Sequence, residues 1–131
     1  MKTIIAGGRD YRFTERDYDY LDQRLSIGGI SEVVCGGSTG ADECGRQWAI
    51  ANDVPVKLFP ADWKKHGKAA GPIRNRQMAV YAHKLIAFWD GVSKGTKNMI
   101  DTAREEGCMV TVIRTDLASA PMSETKKDEV Q

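Results

Sequence analysis

Residues 32–42 decide the fold, and they read EVVCGGSTGAD. The run from Glu32 to Cys35 does not alternate between polar and apolar residues, which is typical of a strand buried on both faces of a parallel sheet. Residues 36–40 contain three glycines, which allow a sharp turn and a close approach of the backbone to a ligand. From Ala41 the chain has a helical pattern, and the first N–H groups of that helix would point at the same spot. The segment therefore predicts a strand, a ligand-binding turn and a helix in direct succession.

The same strand-and-helix unit recurs along the chain. Continuous apolar runs predict five strands, at about residues 3–6, 32–35, 54–59, 84–89 and 109–113. Helical patterns predict helices at about residues 14–27, 41–51, 72–82 and 96–106. This alternation is typical of an α/β fold with three layers, α/β/α, in which a five-stranded parallel sheet lies between helices. Right-handed crossovers favour the strand order 3-2-1-4-5, with the switch point between the first and fourth strands.

The length and the net charge of the chain exclude several classes of protein. The chain has 131 residues, which suits one domain, and its net charge is +1. This charge excludes a polybasic nucleic-acid coat and an acidic tail protein, although a local basic patch remains compatible with it. No apolar run approaches the roughly 20 residues of a membrane span, and the first ten residues hold too short an apolar core for a signal peptide. We therefore expect a cytoplasmic protein without membrane contact.

The domain is expected to span residues 1–114, followed by a polar C-terminal tail at 115–131 in which residues 123–131 are disordered. The cysteines are Cys35, Cys44 and Cys108, and they form no Cys-x-x-Cys pair. We expect free thiols. Because neither histidine lies at a metal-ligand spacing from them, we expect no metal site.

Four loops are predicted to meet at the carboxyl edge of the sheet. They span residues 7–10, 36–40, the surroundings of 62–63, and 90–96. Ligands of doubly wound sheets bind at this edge, and helix N-termini hold phosphates or carboxylates. We therefore predict an anion site. The candidate ligand-binding residues are Gly8, Arg9, Asp10, Gly36, Gly37, Ser38, Thr39, Gly40, Asp42, Asp62, Trp63, Arg74, Asn75, Arg76, Asp90, Gly91, Ser93, Gly95 and Thr96.

Each kind of side chain at this edge suggests a role. Residues 36–40 and 95–96 would cradle a phosphate, with Arg9 as the preferred cation. Arg74 and Arg76 lie two residues apart in a predicted helix, so they face different directions and at most one meets the same phosphate; Arg76 is the one that we expect to add charge. Trp63 would stack on a base.

Carboxylates at the edge would hold ribose hydroxyls, and the candidates are Asp10, Asp42, Asp62 and Asp90. A helix-start charge explains Asp42 and a turn explains Asp90 without any ligand.

Several enzyme classes lack their signatures. The chain has no G-x-x-x-x-G-K-[ST] motif, no G-x-G-x-x-G after the first strand and no G-x-S-x-G elbow. We therefore expect no bound cofactor. The catalytic residues stay unassigned, with Asp42 and Asp62 as the candidates.

Five segments stand out by their order along the chain: Gly7-Gly8-Arg9-Asp10, Gly37-Ser38-Thr39-Gly40-Ala41-Asp42, Phe59-Pro60-Ala61-Asp62-Trp63, Ala70-Gly71-Pro72-Ile73-Arg74-Asn75-Arg76-Gln77-Met78, and Phe88-Trp89-Asp90-Gly91 with Gly95-Thr96. Together they resemble the YspA/YpsA-related branch of the SLOG superfamily, over about residues 2–113. The resemblance implies a Rossmann-like fold that binds a small nucleotide or a nucleotide-derived ligand. It also implies a sensor or sequestering protein in signalling or phage–host conflict.

A first alternative is an enzyme. Residues 90–99 resemble the P-G-G-x-G-T-x-x-E motif of the Lonely Guy phosphoribohydrolases, which cut the N-glycosidic bond of nucleoside monophosphates. Met99 stands where that family has its catalytic glutamate, and a thioether cannot act as a base. The departure favours ligand binding, with a hydrolase or transferase acting on an N-glycosidic or phosphoribosyl bond as the alternative.

A second alternative is single-stranded DNA binding, which we rank third. Gly8-Arg9, Gly40-Ala41-Asp42 and Pro72-Ile73-Arg74-Asn75-Arg76 resemble segments of the DNA-processing protein A family. A local basic patch would consist of Lys64, Lys65, Lys68, Arg74 and Arg76, interrupted by Asp62.

The predicted partner is thus a small nucleotide-type ligand. Tyr18 and Tyr20, taken as exposed positions of the first helix, would also allow a homodimer, while solvated surface aromatics explain them equally well.

Overall fold

A computed structural model describes residues 1–117 and the backbone of residues 123–125. The strands are β1 (Lys2–Gly7), β2 (Glu32–Cys35), β3 (Val56–Leu58), β4 (Lys84–Trp89), β5 (Met109–Arg114) and β6 (Ser123–Thr125). The helices are α1 (Glu15–Ser26), α2 (Ala41–Ala51), α3 (Trp63–His66), α4 (Ala70–Tyr81) and α5 (Lys94–Glu105). Among these described residues, no helix is long and apolar enough to cross a membrane.

The sheet has the strand order β3-β2-β1-β4-β5-β6. The first five strands are parallel in the predicted order, with Ile4 opposite Val34 on one side and opposite Leu85 on the other. β1 and β4 are therefore neighbours, and the predicted switch point between them is confirmed. This is an α/β fold whose ligand-binding edge lies at the ends of these two strands.

β6 differs from the expected disorder of residues 123–131. It pairs antiparallel with β5, and Ser123 lies opposite Val112. This short strand is explained by backbone hydrogen bonds to the open edge of β5. Such bonds do not require apolar side chains, so the polar sequence did not indicate a strand. The remainder of the expected tail, residues 118–122 and 126–131, lies outside the described residues.

Two cores lie on opposite faces of the sheet, because successive side chains of a strand alternate between faces. Ile5 of β1 packs into a cluster with Leu21 and Trp48, residues of α1 and α2. Ile4 packs into the other cluster with Met78 and Ile100, which belong to α4 and α5. Both faces of β1 are thus covered, which is why the strand is apolar without interruption.

α1 begins as predicted at Thr14. The Thr14 side chain accepts a hydrogen bond from the N–H of Asp17, whose carboxylate accepts one from the N–H of Thr14. The expected exposure of Tyr20 is wrong. Its side chain is 6% exposed and packs in the core of that face, whereas Tyr18 is 37% exposed.

The segment before α4 is more helical than predicted. We predicted no helix between residues 59 and 72; instead α3 and a 3-10 turn at Gly67–Ala69 lead directly into α4. α4 begins at Ala70, so Pro72 lies in its first turn, where the missing N–H costs no helical hydrogen bond.

A close helix–strand contact provides a test of this packing. A Cβ added at Gly45 of α2 would lie 2.6 Å from Cγ2 of Ile5. Gly45→Ala is therefore expected to lower the free energy of unfolding by about 1–3 kcal/mol in urea denaturation.

Gly95→Ala in α5 is the matched control. No described heavy atom lies within 4 Å of its added Cβ. The free energy of unfolding should stay unchanged or rise by less than about 1 kcal/mol. Equal losses at both positions would contradict the proposed packing of α2 on β1.

Candidate functional site

A cavity of about 760 Å³ opens at the carboxyl ends of β1 and β4. Twelve of the predicted site residues line it: Gly8, Arg9, Asp10, Ser38, Asp42, Trp63, Arg74, Asn75, Asp90, Ser93, Gly95 and Thr96. They come from the loops after β1, β2 and β4 and from the first half of α2, α3, α4 and α5. The strand order brings these loops together, as the edge of a doubly wound sheet requires.

The loop after β1 is tied to the start of α2. The carbonyl oxygen of Gly8 accepts hydrogen bonds from the N–H groups of Tyr11 (3.2 Å) and Ala41 (3.1 Å). The hydroxyl of Thr39 donates to the carbonyl oxygen of Arg9 at 3.1 Å. Gly40 has φ +72°, and a Cβ there would lie 2.2 Å from the oxygen of Gly8. This glycine is thus needed for loop packing, whatever the ligand.

Asp42 lies in the first turn of α2 and is 6% exposed. Its Oδ2 accepts hydrogen bonds from the N–H groups of Gly36 (3.2 Å) and Ser38 (3.4 Å). Burial raises the pKa of Asp42 to about 6, against the opposing effects of Arg74 and of these two N–H groups. A favourable charge at a helix start does not explain this residue, because its burial disfavours the charged form of the carboxylate.

These hydrogen bonds change the interpretation of residues 36–40. We expected the loop to cradle a phosphate, but two of its N–H groups already donate to a carboxylate of the chain. A phosphate placed there would meet the negative charge of Asp42, which Coulomb repulsion disfavours. At the N-terminus of α5 the nearby carboxylate, Asp90, accepts from the N–H groups of Val92 and Ser93 in the preceding turn, and it leaves the N–H groups of the first helical residues without an acceptor among the described residues.

α5 begins without a side-chain cap at Ser93. Within the described residues, the N–H groups of Lys94, Gly95 and Thr96 have no hydrogen-bond acceptor, and all three residues line the cavity. The preceding turn is held by Asp90, whose Oδ1 accepts from the N–H groups of Val92 (2.8 Å) and Ser93 (2.7 Å). The free N–H groups form a positive end that can hold an anion.

Arg74 extends across the sheet edge toward the ends of β2 and β3. Its Nη1 donates to the carbonyl oxygens of Gly36 (2.8 Å) and Phe59 (3.5 Å). Burial lowers the pKa of Arg74, and the neighbouring Asp42 opposes that shift. Arg74, not Arg76, is thus the arginine of α4 that lines the cavity.

Arg76 does not reach the site, contrary to our expectation. Its guanidinium forms ion pairs of 2.7 Å with Glu105 and Glu106, because α4 packs on α5 at this position. The predicted basic patch is therefore divided: Arg76 is paired away from the cavity and Arg74 points into it.

Asp62 lies outside the cavity lining as well. It is exposed, and its Oδ1 caps α3 by accepting from the N–H of Lys65 at 3.1 Å. Four of the predicted site glycines do not line the main cavity: Gly36, Gly37, Gly40 and Gly91. Gly40 and Thr39 instead line a smaller adjoining groove of about 310 Å³, together with Arg9, Asp10 and Arg12.

Sequence reasoning missed several residues of the lining, among them Tyr11, Lys94 and Asn98. Lys94 and Asn98 are four residues apart, so they share one face of α5; this spacing after a glycine-rich loop was a usable signal. Met99 also lines the cavity and is 2% exposed. The position of the Lonely Guy glutamate is therefore an apolar part of the wall.

The buried carboxyl predicts a pH-dependent stability. The carboxyl of Asp42 ionises near pH 4 when unfolded and near pH 6 when folded. Between these values the folded state binds the extra proton, so the wild-type free energy of unfolding falls as the pH rises through the window. Asp42→Asn removes the free-energy cost of burying this charge. The free energy of unfolding of the variant should exceed that of the wild type by almost nothing at pH 4 and by about 3 kcal/mol at pH 7.5, measured by urea denaturation.

Asp90→Asn is the contrasting control. The N–H groups of Ser93 and Val92 lower the pKa of Asp90, so this carboxylate stabilises the fold at neutral pH and that contribution is lost as the pH falls. Its amide variant should be less stable than the wild type at pH 7.5. An effect of Asp42→Asn that does not change with pH would contradict the buried, ionised carboxylate.

Known proteins are similar to this chain in sequence. The chain matches the family described as "YspA, cpYpsA-related SLOG family" over residues 1–66, which include the loops after β1 and β2 and the start of α3. It is also 33% identical over 116 residues to the Gene 61 protein of Mycobacterium phage D29, covering 83% of this chain and 93% of the phage protein. With its Rossmann-like α/β fold, the chain belongs to the YspA, cpYpsA-related SLOG family.

Proposed function

We propose that the cavity binds a small nucleotide or nucleotide-derived ligand, with its phosphate at the N-terminus of α5. Membership in the SLOG family indicates a nucleotide-related function. The observation that carries the proposal is the uncapped start of α5, whose first residues, Lys94, Gly95 and Thr96, line the cavity. The cavity volume of about 760 Å³ lies in the range of small-molecule sites.

The rest of the lining supports a nucleotide orientation. Trp63 is 52% exposed at the cavity and offers an aromatic face for a base. Asp42 offers carboxylate oxygens for sugar hydroxyls. Arg9 lines the cavity and adds a positive charge from the loop after β1. A sensor or sequestering role in signalling or phage–host conflict is part of this proposal. The likeness to a protein of a mycobacteriophage agrees with the phage setting and carries no further role.

Thermal unfolding with a ligand panel tests the proposal. The panel comprises AMP, ATP, GTP, NAD, ADP-ribose, cyclic nucleotides and a single-stranded oligonucleotide. A ligand at about 100 times its Kd should stabilise the protein by roughly 2.7 kcal/mol, which raises the Tm by several degrees. Lys94→Ala should weaken the binding of that ligand several-fold, because it removes a charge at the phosphate.

Lys97→Ala is the matched control. Lys97 lies on the same helix, but its Nζ pairs with Asp101 at 2.8 Å and it does not line the cavity. Its loss should leave the affinity unchanged. Equal effects of the two lysines would contradict a phosphate at the start of α5. A Tm shift with the oligonucleotide alone, steeply reduced by salt, would favour DNA binding instead.

The second candidate is hydrolysis of an N-glycosidic bond, and Asp42 favours it. A buried carboxyl with a pKa near 6, facing a cavity, is suited to proton transfer near neutral pH. Under this alternative the wild type should release free base from nucleoside monophosphates, and Asp42→Asn should abolish release while still binding. Chromatography of the products checks this, and binding without any release in the wild type would exclude it for those substrates.

A further inference from the structure

Three polar side chains form a hydrogen-bonded chain from α4 to α5. Nε of Arg74 donates to Oδ1 of Asn75 at 3.1 Å, and Nδ2 of Asn75 donates to Oδ1 of Asn98 at 2.9 Å. Asn75 is only 7% exposed, and its position in α4 makes it part of the packing between the two helices. The first member is anchored, since Arg74 also donates to Gly36 at the end of β2.

Donor chemistry fixes the direction of this chain. A guanidinium has donors and no acceptor, so Asn75 must turn its oxygen toward Arg74. The amide nitrogen of Asn75 then faces Asn98, which must in turn present its own oxygen. Neither amide can rotate by 180° without placing two donors or two acceptors against each other. The orientation of both amides therefore follows from Arg74 alone.

The end of the chain faces the cavity. Within the described residues, Nδ2 of Asn98 has no hydrogen-bond acceptor, and Asn98 lines the cavity. Asn98 shares its face of α5 with Lys94, one turn earlier, and helical side chains tilt toward the N-terminus. Its free amide donor thus lies on the same side as the uncapped first turn.

We propose that Arg74 and Asn75 are positioning residues that hold Asn98 with its Nδ2 toward the ligand, where it donates a hydrogen bond to a phosphoryl oxygen. This inference rests on the proposed function, since it uses the phosphate at the start of α5. Under this proposal, Asn98 favours ligands that place a hydrogen-bond acceptor against this part of the cavity lining. A donor group of a ligand would find no partner there.

Asn75→Asp tests the orientation without changing the size of the side chain. The carboxylate still accepts from Arg74, but it can no longer donate to Asn98. Asn98 must then donate from Nδ2 to the new carboxylate and turn its oxygen toward the ligand. Nuclear magnetic resonance should show the Asn98 side-chain amide protons protected from exchange in the variant and exposed in the wild type.

The second readout is the affinity for inorganic phosphate and for AMP. It is measured from the chemical-shift changes of the backbone amides of Gly95 and Thr96 as each ligand is added. Asn98→Ala should weaken binding about ten-fold, the loss of one hydrogen bond to a charged group. Asn75→Asp should weaken it further, because it replaces a donor by an acceptor. In the Asn98→Ala background, Asn75→Asp should have little further effect, since no amide remains to be turned.

Gln77→Glu is the matched control for charge, because it makes the same substitution at an exposed position of α4 outside the cavity lining. It should leave both readouts unchanged. An undiminished effect of Asn75→Asp in the Asn98→Ala background would overturn the inference, since charge alone would then explain it.

The two proposals fail differently. Phosphate or AMP that perturbs Gly95 and Thr96 but binds Asn75→Asp as well as the wild type would overturn the inference and leave the proposed function standing. If neither phosphate nor any nucleotide perturbs these amides in the wild type, the proposed function fails, and the phosphate role of Asn98 fails with it. In that second case the exchange measurement still reports whether Asn75 orients the amide of Asn98.

Discussion

The first turn of α2 lies directly against the backbone of the loop after β1, and the site depends on this contact. Gly40 allows it, because any side chain there would overlap the oxygen of Gly8. The N–H of Ala41 then bonds to that oxygen, and the next residue, Asp42, is placed under the cavity. The position of α2 thus determines where the buried carboxylate stands and which loop amides it occupies. Arg74, bound to Gly36, closes the same region from the other face of the sheet.

The order of the sheet could be predicted because strands that are buried on both faces are apolar along their whole length. Ile4 and Ile5 face different cores, and both are fully buried, so the strand has no polar alternation. The edge strands were harder. Among the described strands β3 pairs with β2 alone, and three residues form the strand where the run at 54–59 predicted six. The backbone pairing of β6 leaves no hydrophobic pattern in the sequence.

The cavity lies at the sheet edge where the sequence predicted the candidate site, and its lining differs in part from the predicted residues. Loop positions after parallel strands follow from topology, but the direction of a single helical side chain does not. Arg74 and Arg76 differ only in which neighbour they meet: the carbonyl oxygen of Gly36 or the carboxylates of α5. The two glycine-rich loops also differ in the carboxylate that accepts from their N–H groups. Before α2 the loop amides donate to Asp42, a residue of the helix itself, whereas before α5 they donate to Asp90, a residue of the loop. The first N–H groups of α5 therefore stay without an acceptor among the described residues.

The pairing of β6 with β5 has a consequence for self-association. Among the described strands, β6 and β3 form the two borders of the sheet. The border beyond β5 is occupied by the chain's own C-terminal segment, and β3 is only three residues long with an exposed lysine at its centre. Short, charged borders resist the addition of foreign strands. Among the described strands, a second copy would find only these short borders to pair with, which disfavours growth into a continuous intermolecular sheet.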